Sequence, residues 1–327
     1  MMRILGIGNA LTDYLFRLET DETLDQLKLP KGSMQLIDRQ HAGFIFKAIG
    51  TNAEQITAGG SAANTIHGLS GLGIETGFIG KVGQDEVSEI FHQSLIRSNI
   101  NPILHRSDTE SGFAIAFISP DGERTFATYL GAAVELTASD LREEDFEDYD
   151  LLHVEGYLVQ NHQLIIKAAE MAKENGLSIS IDLASFNVVN ENKGFLKDFI
   201  EDYADIVFAN EEEAKAYTGL ESEKALKEIG KQCDYAIVKL GSHGSLVYHS
   251  GKIDQIGIYP ATCIDTTGAG DLYASGFLYG LSKNLSVRNC GEIGALMAGH
   301  VVEELGAKIS SEKWPLLKDM LRLYQEE

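Results

Sequence analysis

Positive charge is scarce in this 327-residue chain: 27 lysines and arginines face 49 aspartates and glutamates, for a formal charge of −22. With no local basic patch, such a chain repels nucleic acid and anionic lipid, so neither is an expected partner. Cysteine is equally sparse. Cys233, Cys263 and Cys290 are widely spaced with no CxxC pair, which excludes a disulfide framework and a cysteine zinc site and suits a reducing compartment. The histidines show no HxxxH or HExxH spacing, which argues against a histidine-based metal site. No apolar run approaches the roughly 18 residues of a spanning helix. The opening apolar stretch Ile4-Leu5-Gly6-Ile7 meets Asn9, Thr12 and Asp13 too soon for a signal peptide, so the expected location is the cytoplasm. Five prolines and 8% aromatics fit neither a disordered nor a low-complexity chain.

What is present is a pattern. Hydrophobic side chains make up 44% of the chain, enough for a sizeable core in one large α/β domain or two smaller ones. Short apolar runs at Arg3–Gly8, Leu151–Glu155, Ser178–Asp182, Asp205–Phe208 and Tyr235–Lys239 read as strands. Between them, Asp85–Arg97 repeats Val87, Ile90, Phe91 and Leu95 at helical spacing, and His162–Glu174 does so with Ile165, Ala168, Ala169 and Ala172. Strand and helix in alternation predict an α/β fold with a mostly parallel sheet covered on both faces. One stretch breaks the alternation. Ser111–Ile118 and Arg124–Leu130 flank Pro120-Asp121-Gly122, the pattern of a hairpin. It is expected to pair with strands from roughly 10–38, so that about 10–38 and 111–130 form a small β lid. No linker or repeat divides the chain, and a single domain over 1–327 is expected.

Three glycine-rich segments are candidates for chemistry. Gly6-Ile7-Gly8-Asn9-Ala10-Leu11 follows a strand but lacks the Gly or Ala that a dinucleotide fingerprint needs at its sixth position. It reads as a strand end turning into a loop, with Asn9 and Asp13 free to face a ligand. Ala58-Gly59-Gly60-Ser61-Ala62-Ala63-Asn64-Thr65 precedes a helix whose Ala62, Ala63, Ile66 and Leu69 recur at helical spacing. Paired glycines admit a ligand close to backbone, and Asn64 points its amide toward the same space. The plainer alternative is a Gly-Gly turn capped by Ser61. The third, Asp265-Thr266-Thr267-Gly268-Ala269-Gly270-Asp271, follows the strand-like run Gly257–Ile264 and opens a helix carrying Leu272, Ala274, Phe277 and Leu278. Small residues at a helix start leave N–H groups free to hold an anionic oxygen. Asp271 in that first turn either complements the helix dipole or serves as a base beside the cradle. No GxxxxGK[ST] occurs, which excludes a Walker-type phosphate loop.

With Gly59-Gly60-Ser61-Ala62-Ala63-Asn64 in the N-terminal third and Asp265–Asp271 in the C-terminal third, the chain resembles the ribokinase-like, or PfkB, family of carbohydrate and nucleoside kinases over essentially its whole length. The resemblance implies a three-layer sandwich with a small β lid. It implies Asp271 as the base that deprotonates an acceptor hydroxyl, and the backbone of Gly268, Ala269 and Gly270 as an anion hole. Asn210 and Glu213 match the family's NxxE element, with Glu213 ordering Mg²⁺ through water; Asn210 could equally cap the helix that follows. Lys239, Gly241 and Gly244 resemble the strand and turn lining the ATP site. Asp265 sits where some members place a ligand for a monovalent cation such as K⁺.

At the acceptor end the motifs resemble the adenosine kinases of the family more than its sugar kinases. Asn9 and Asp13 are spaced N-x-x-x-D rather than N-x-D, Ser61 follows the paired glycines, and Gln35 ends Gly32-Ser33-Met34-Gln35. Tyr157 and Phe186 fall near positions for aromatics against a purine, or else are ordinary core residues. Arg124, after the Asp121-Gly122-Glu123 turn, resembles a lid arginine reaching the phosphates. The resulting expectation is an ATP- and Mg²⁺-dependent phosphotransferase acting on a small nucleoside, adenosine above others, as a monomer or homodimer. Ribose or fructose is the alternative acceptor. A retired kinase serving as a binding module and a nucleotide-dependent oxidoreductase are the competing classes; the intact Gly-Ala-Gly-Asp and the failed fingerprint count against them.

Overall fold

Side chains that are apolar on both sides of a strand need cover on both faces, and the chain supplies it. The computed structural model describes residues 2–324; Met1 and residues 325–327, at the ends of the expected single-domain span, lie outside the described residues. In chain order the strands are β1 (Ile4–Ile7), β2 (Leu11–Arg17), β3 (Met34–Leu36), β4 (Gln55–Gly59), β5 (Thr76–Val82), β6 (Ile100–Arg106), β7 (Gly112–Ile118), β8 (Arg124–Tyr129), β9 (Leu151–Glu155), β10 (Ser178–Asp182), β11 (Ile206–Asn210), β12 (Tyr235–Lys239), β13 (Ser245–His249) and β14 (Lys252–Ile256). The α-helices are α1 (Glu22–Leu27), α2 (Arg39–Ile49), α3 (Ser61–Gly71), α4 (Glu86–Arg97), α5 (His162–Glu174), α6 (Phe186–Tyr203), α7 (Glu211–Thr218), α8 (Ser222–Ile229), α9 (Ala269–Ser282), α10 (Val287–Val301) and α11 (Trp314–Leu323).

Nine strands form the main sheet in the order β14-β13-β12-β11-β10-β9-β1-β5-β6. It is parallel from β12 to β6, and β13 and β14 close one end antiparallel. Alternate residues serve opposite faces. Leu5, Ile7, Leu152, Val154, Val207 and Val238 pack with α5 to α8. Ile4, Leu151, Ile206, Phe208 and Ile237 pack with α3, α4, α9, α10 and α11. Each fully buried side chain of this size contributes about 1.5–3 kcal/mol over leaving it in water, so the sheet is held from both sides. Among the described residues no helix is long and apolar enough to cross a membrane.

A second sheet of five strands runs β3-β8-β7-β2-β4. The expected hairpin is present as the antiparallel pair β7–β8, and β2 joins it in parallel. One of its strands was not anticipated: β4 pairs antiparallel with β2, which brings Gly59 opposite Leu11 and Thr57 opposite Asp13. Phe16, Leu24, Leu27, Ile45 and Phe117 pack one face of this sheet against α1 and α2. Its other face borders a crevice lined by Asp13, Thr57, Arg124, Phe126, Thr267 and Gly306. At its tip Lys31 donates to Asp21 and Asp121, both at 2.6 Å.

One strand expectation fails. Gly257–Ile264 is irregular, β14 having ended at Ile256. Pro260 has no N–H to give to a ladder, and Ile258 and Ile264 lie exposed rather than packed. The Asp265–Asp271 segment is therefore approached by a surface loop.

Candidate active site

β9, β10, β11 and β12 each finish on a polar residue, and of these Glu155 meets the start of α3 and Lys239 the start of α9. Open α/β sheets characteristically bind ligands at this edge. Helix α9 begins from Gly268 in the left-handed conformation, φ +75°. A Cβ there would lie 2.5 Å from that of Ala307, so the turn admits only glycine. The Ala269 N–H is bonded back to Thr266 O at 3.2 Å. Among the described residues the N–H groups of Gly268, Gly270 and Asp271 have no partner. Of the expected trio, Gly268 and Gly270 keep free N–H groups, that of Ala269 is spent on Thr266, and that of Asp271 is free as well. The helix dipole adds to the preference of this turn for negative charge.

Asp271 itself is held at both oxygens. Ser61 Oγ donates to Oδ1 at 2.8 Å and Asn64 Nδ2 to Oδ2 at 2.9 Å, while Thr65 Oγ1 reaches its backbone oxygen at 3.2 Å. Ser61 and Asn64, expected to hold the acceptor, are instead directed at the carboxylate. Burial pushes the Asp271 carboxyl up to about 6, helped by Asp182 and opposed by Asn64, Ser61 and Lys239. A carboxylate with that value is largely ionised at neutral pH yet basic enough to accept a proton.

Beneath the paired glycines lies Glu155, which sequence reasoning passed over. It accepts from Asn9 Nδ2 at 2.6 Å, Asn9 N at 3.3 Å and Ala62 N at 3.1 Å. Asn9, expected to face the acceptor, is committed to this contact. Burial raises the Glu155 carboxyl to about 7 against the pull of those three bonds. On the second sheet, Asp13 lies under Gly59, where a Cβ would come within 2.1 Å of its Oδ2. Glycine is what lets the two approach. Burial raises Asp13 to about 7, and Lys308 is the strongest charge opposing that rise. Lys308, also unanticipated, is itself pushed down to about 8 by burial and donates to Ser94 Oγ at 3.2 Å.

On the far side of the cradle Lys239 donates to Asp182 Oδ2 at 2.6 Å. Its ammonium is 3.0 Å from where a Cβ on Gly270 would be, so it stands at the edge of the free N–H groups. Burial presses the Lys239 pKa down, but Asp182, Glu213 and Asp271 outweigh it and keep the lysine charged. Asn210 and Glu213 form a reciprocal cap on α7: Glu213 N donates to Asn210 Oδ1 at 2.9 Å, and Asn210 N and Nδ2 donate to the two Glu213 oxygens at 2.8 and 2.7 Å. Burial and Asp182 lift Glu213 to about 7. Gly244 takes φ +87° and would clash with Ile256 O if it carried a Cβ, whereas Gly241 faces open space.

Three carboxylates, Asp182, Glu213 and Asp271, thus share one ammonium, an excess of negative charge that suits a divalent cation. Among the described residues no three acidic, histidine or cysteine side chains converge to chelate an ion directly. Asp265 does not fit a cation. Its Oδ1 accepts from Thr267 N at 3.0 Å and Thr267 Oγ1 at 2.8 Å; its Oδ2 accepts from Gly306 N at 2.6 Å and meets the Arg124 guanidinium.

The remaining expected residues are more dispersed. Tyr157 sits on a 3₁₀ turn, Gly156–Gln160, and burial raises its hydroxyl to about 12, with Glu155 and Glu213 adding to the rise. Phe186 opens α6 and is 43% exposed. Gln35 lies on β3, the outer strand of the second sheet, opposite Ala127.

Residues 49–314 match the pfkB family carbohydrate kinase domain. The fold overlays a probable sugar kinase from Rhizobium etli with a TM-score of 0.88 and 30% identity, covering 98% of each chain. It overlays an adenosine kinase from Sinorhizobium meliloti with a TM-score of 0.87 and 30% identity, covering 98% of this chain and 99% of the other. A nucleoside kinase of Methanocaldococcus jannaschii is 26% identical over 99% of this chain and 98% of its own.

Proposed function

The chain belongs to the pfkB family of carbohydrate kinases, and from that premise we propose that it moves the terminal phosphoryl group of ATP to the primary hydroxyl of a nucleoside, adenosine above others. The acceptor O–H bond breaks, its oxygen bonds to phosphorus, the bond to the leaving diphosphate breaks, and ADP departs. The observation that carries this reading is a partly buried carboxylate, held at both oxygens by Ser61 and Asn64, in the same helical turn as unpartnered N–H groups.

Asp271 accepts the hydroxyl proton, and Ser61 and Asn64 fix its two oxygens so that no reorientation is needed at that moment. Gly268, Gly270 and Asp271 N–H, with the Lys239 ammonium beside them, hold the phosphoryl oxygens where charge develops. The turn containing Gly241 and Gly244 directly follows the strand that ends on Lys239, which supports it as a wall of the nucleotide site. Mg²⁺, held through water by Asp182 and Glu213, would supply charge neutralisation along the phosphates. The free thiols suit action in the reducing cytoplasm.

For the acceptor, Asp13 under Gly59 supplies a carboxylate to ribose hydroxyls, and Tyr157 and Phe186 flank the strand ends as aromatic faces for a base. The Asn9-to-Asp13 spacing, Ser61, Gln35 and the full-length similarity to an adenosine kinase support the nucleoside. The equal identity to a probable sugar kinase supports ribose or fructose as the second reading. ADP release from ATP-Mg²⁺ across a panel of nucleosides and sugars separates the two: adenosine is expected to give the highest kcat/KM, and no turnover with any alcohol would refute kinase activity.

A further inference from the structure

Besides Asp13, the second sheet brings a second charged side chain to the site, Arg124, and the reaction above does not use it. Arg124, the first residue of β8, places its guanidinium against Asp265, and the two side chains are only 11% and 2% exposed. Asp265 is the meeting point of three segments. It holds Thr267 at the entrance to the cradle, Gly306 in the loop after α10, and Arg124 from the second sheet. The Gly306 loop matters in turn, because Ala307 is the residue packed against Gly268 at the start of α9.

An alkali cation binds through oxygen lone pairs; both Asp265 oxygens already accept from Thr267 or Gly306, and the Arg124 guanidinium paired with Oδ2 repels a second cation. We propose that Arg124 is a built-in cation, doing at Asp265 what a bound monovalent ion would otherwise do. It holds the cradle loop to the body, and assembly of the anion site therefore depends on docking of the second sheet. Arg124 is then a positioning residue that acts through Asp265 and the Thr266–Gly268 turn. What the guanidinium delivers here is charge: it forms an ion pair with one Asp265 oxygen without the alignment of a hydrogen bond. Chemically, the enzyme should be indifferent to K⁺, and the indifference should reside in one side chain.

This inference rests on the phosphotransferase reading only in its kinetic arm, so the first arm uses the ligand-free full-length protein. Thermal melts of wild type, Arg124→Ala and Arg124→Lys are recorded in KCl and in tetramethylammonium chloride at equal ionic strength. Wild type should melt alike in both salts. Arg124→Ala should melt lower and regain part of the loss in KCl alone, because a small cation can enter where the guanidinium was. Arg124→Lys, which keeps the charge and guards against a variant that fails to fold, should melt nearer wild type and remain salt-indifferent. In the kinetic arm, Arg124→Ala should lose about tenfold in kcat, because removing one partner of a buried ion pair leaves the Asp265 charge uncompensated, with K⁺ restoring part of it. Wild type stabilised or activated severalfold by K⁺ over tetramethylammonium would overturn the proposal, as would Arg124→Ala melting and turning over like wild type. Absence of any kinase turnover would defeat the proposed function and leave the melts to decide this one.

Discussion

The two sheets of this protein solve opposite problems. In the main sheet the central strands are buried on both faces; inside them His153 and Ser180 satisfy each other at 2.9 Å, and the charged and amide groups Glu155, Asp182, Asn210 and Lys239 stand at the strand ends. The second sheet packs one face on α1 and α2 and leaves the other toward a crevice, with much of its periphery held by exposed ion pairs around Lys31. Exposed pairs of that kind contribute little stability. On the function proposed above, the contrast divides the roles: chemistry is assigned to the ends of the sheet buried on both faces, and selection and closure to the half-covered layer. Asp13, which feels the charges of Lys308 and Asp271, and Arg124, paired with Asp265, are the points where the second sheet meets the rest of the molecule.

The sharpest way to break this division is at Asp271. Replacement by Asn keeps the hydrogen-bonding shape but cannot take a proton, so kcat should fall about 10²–10⁴-fold while calorimetry shows ATP binding retained. In wild type the rate should also fall with acid as pH drops through about 6, because protonation removes the base. That limb should vanish in Asp271→Asn; a variant turning over like wild type removes Asp271 from the mechanism. Next in size is Asp13→Ala. Loss of a carboxylate bonded to sugar hydroxyls should lower kcat/KM about tenfold or more, and equally for adenosine and ribose. An effect confined to one acceptor would move Asp13 out of the ribose site.

Closure gives a smaller, local signal. Saturating acceptor should slow hydrogen exchange around Gln35 and Arg124 and leave β9 to β12 unchanged. Equal protection with and without acceptor would make the second sheet a fixed wall. The smallest effect concerns stability. Asp13, Glu155 and Glu213 are raised by burial to about 7 from 3.8, 4.5 and 4.5. Between those values and about 7 the native state binds protons that the unfolded chain has lost, so stability falls as pH rises through that window. The ligand-free protein should therefore melt higher at pH 6 than at pH 8 on that scale, and Glu155→Gln should flatten the dependence; an unchanged slope would mean that Glu155 is not a contributor.

The same contrast explains what could be seen in the sequence. Leu151–Glu155, Ser178–Asp182 and Tyr235–Lys239 stand in the structure with the bounds expected of them, because two-sided burial writes a continuous apolar run. Gln55–Gly59 was not legible: its Gln55 and Ile56 are exposed, and a half-covered edge strand leaves little pattern. Gly257–Ile264 shows the converse error, an apolar loop resembling a strand. Within the site, the cradle was legible because its residues are contiguous. Glu155, Asp182 and Lys308 were not, since their partners Asn9, Lys239 and Asp13 are far away in the chain. A usable signal existed for the first two: each is the single charged residue closing an otherwise uncharged strand.

The nucleoside assignment comes down to whether an aromatic face reads a base that free ribose lacks. The direct measurement is kcat/KM for adenosine and for ribose, in wild type and in Phe186→Ala. Stacking of a base on an aromatic side chain is worth about 1–3 kcal/mol in single-strand binding proteins, so adenosine should weaken about tenfold or more at 1.4 kcal/mol per decade. Ribose, if used, should be nearly unaffected, and wild type should prefer adenosine. A wild-type preference for ribose, or an equal loss for both acceptors, would contradict the account and leave the sugar kinase in its place.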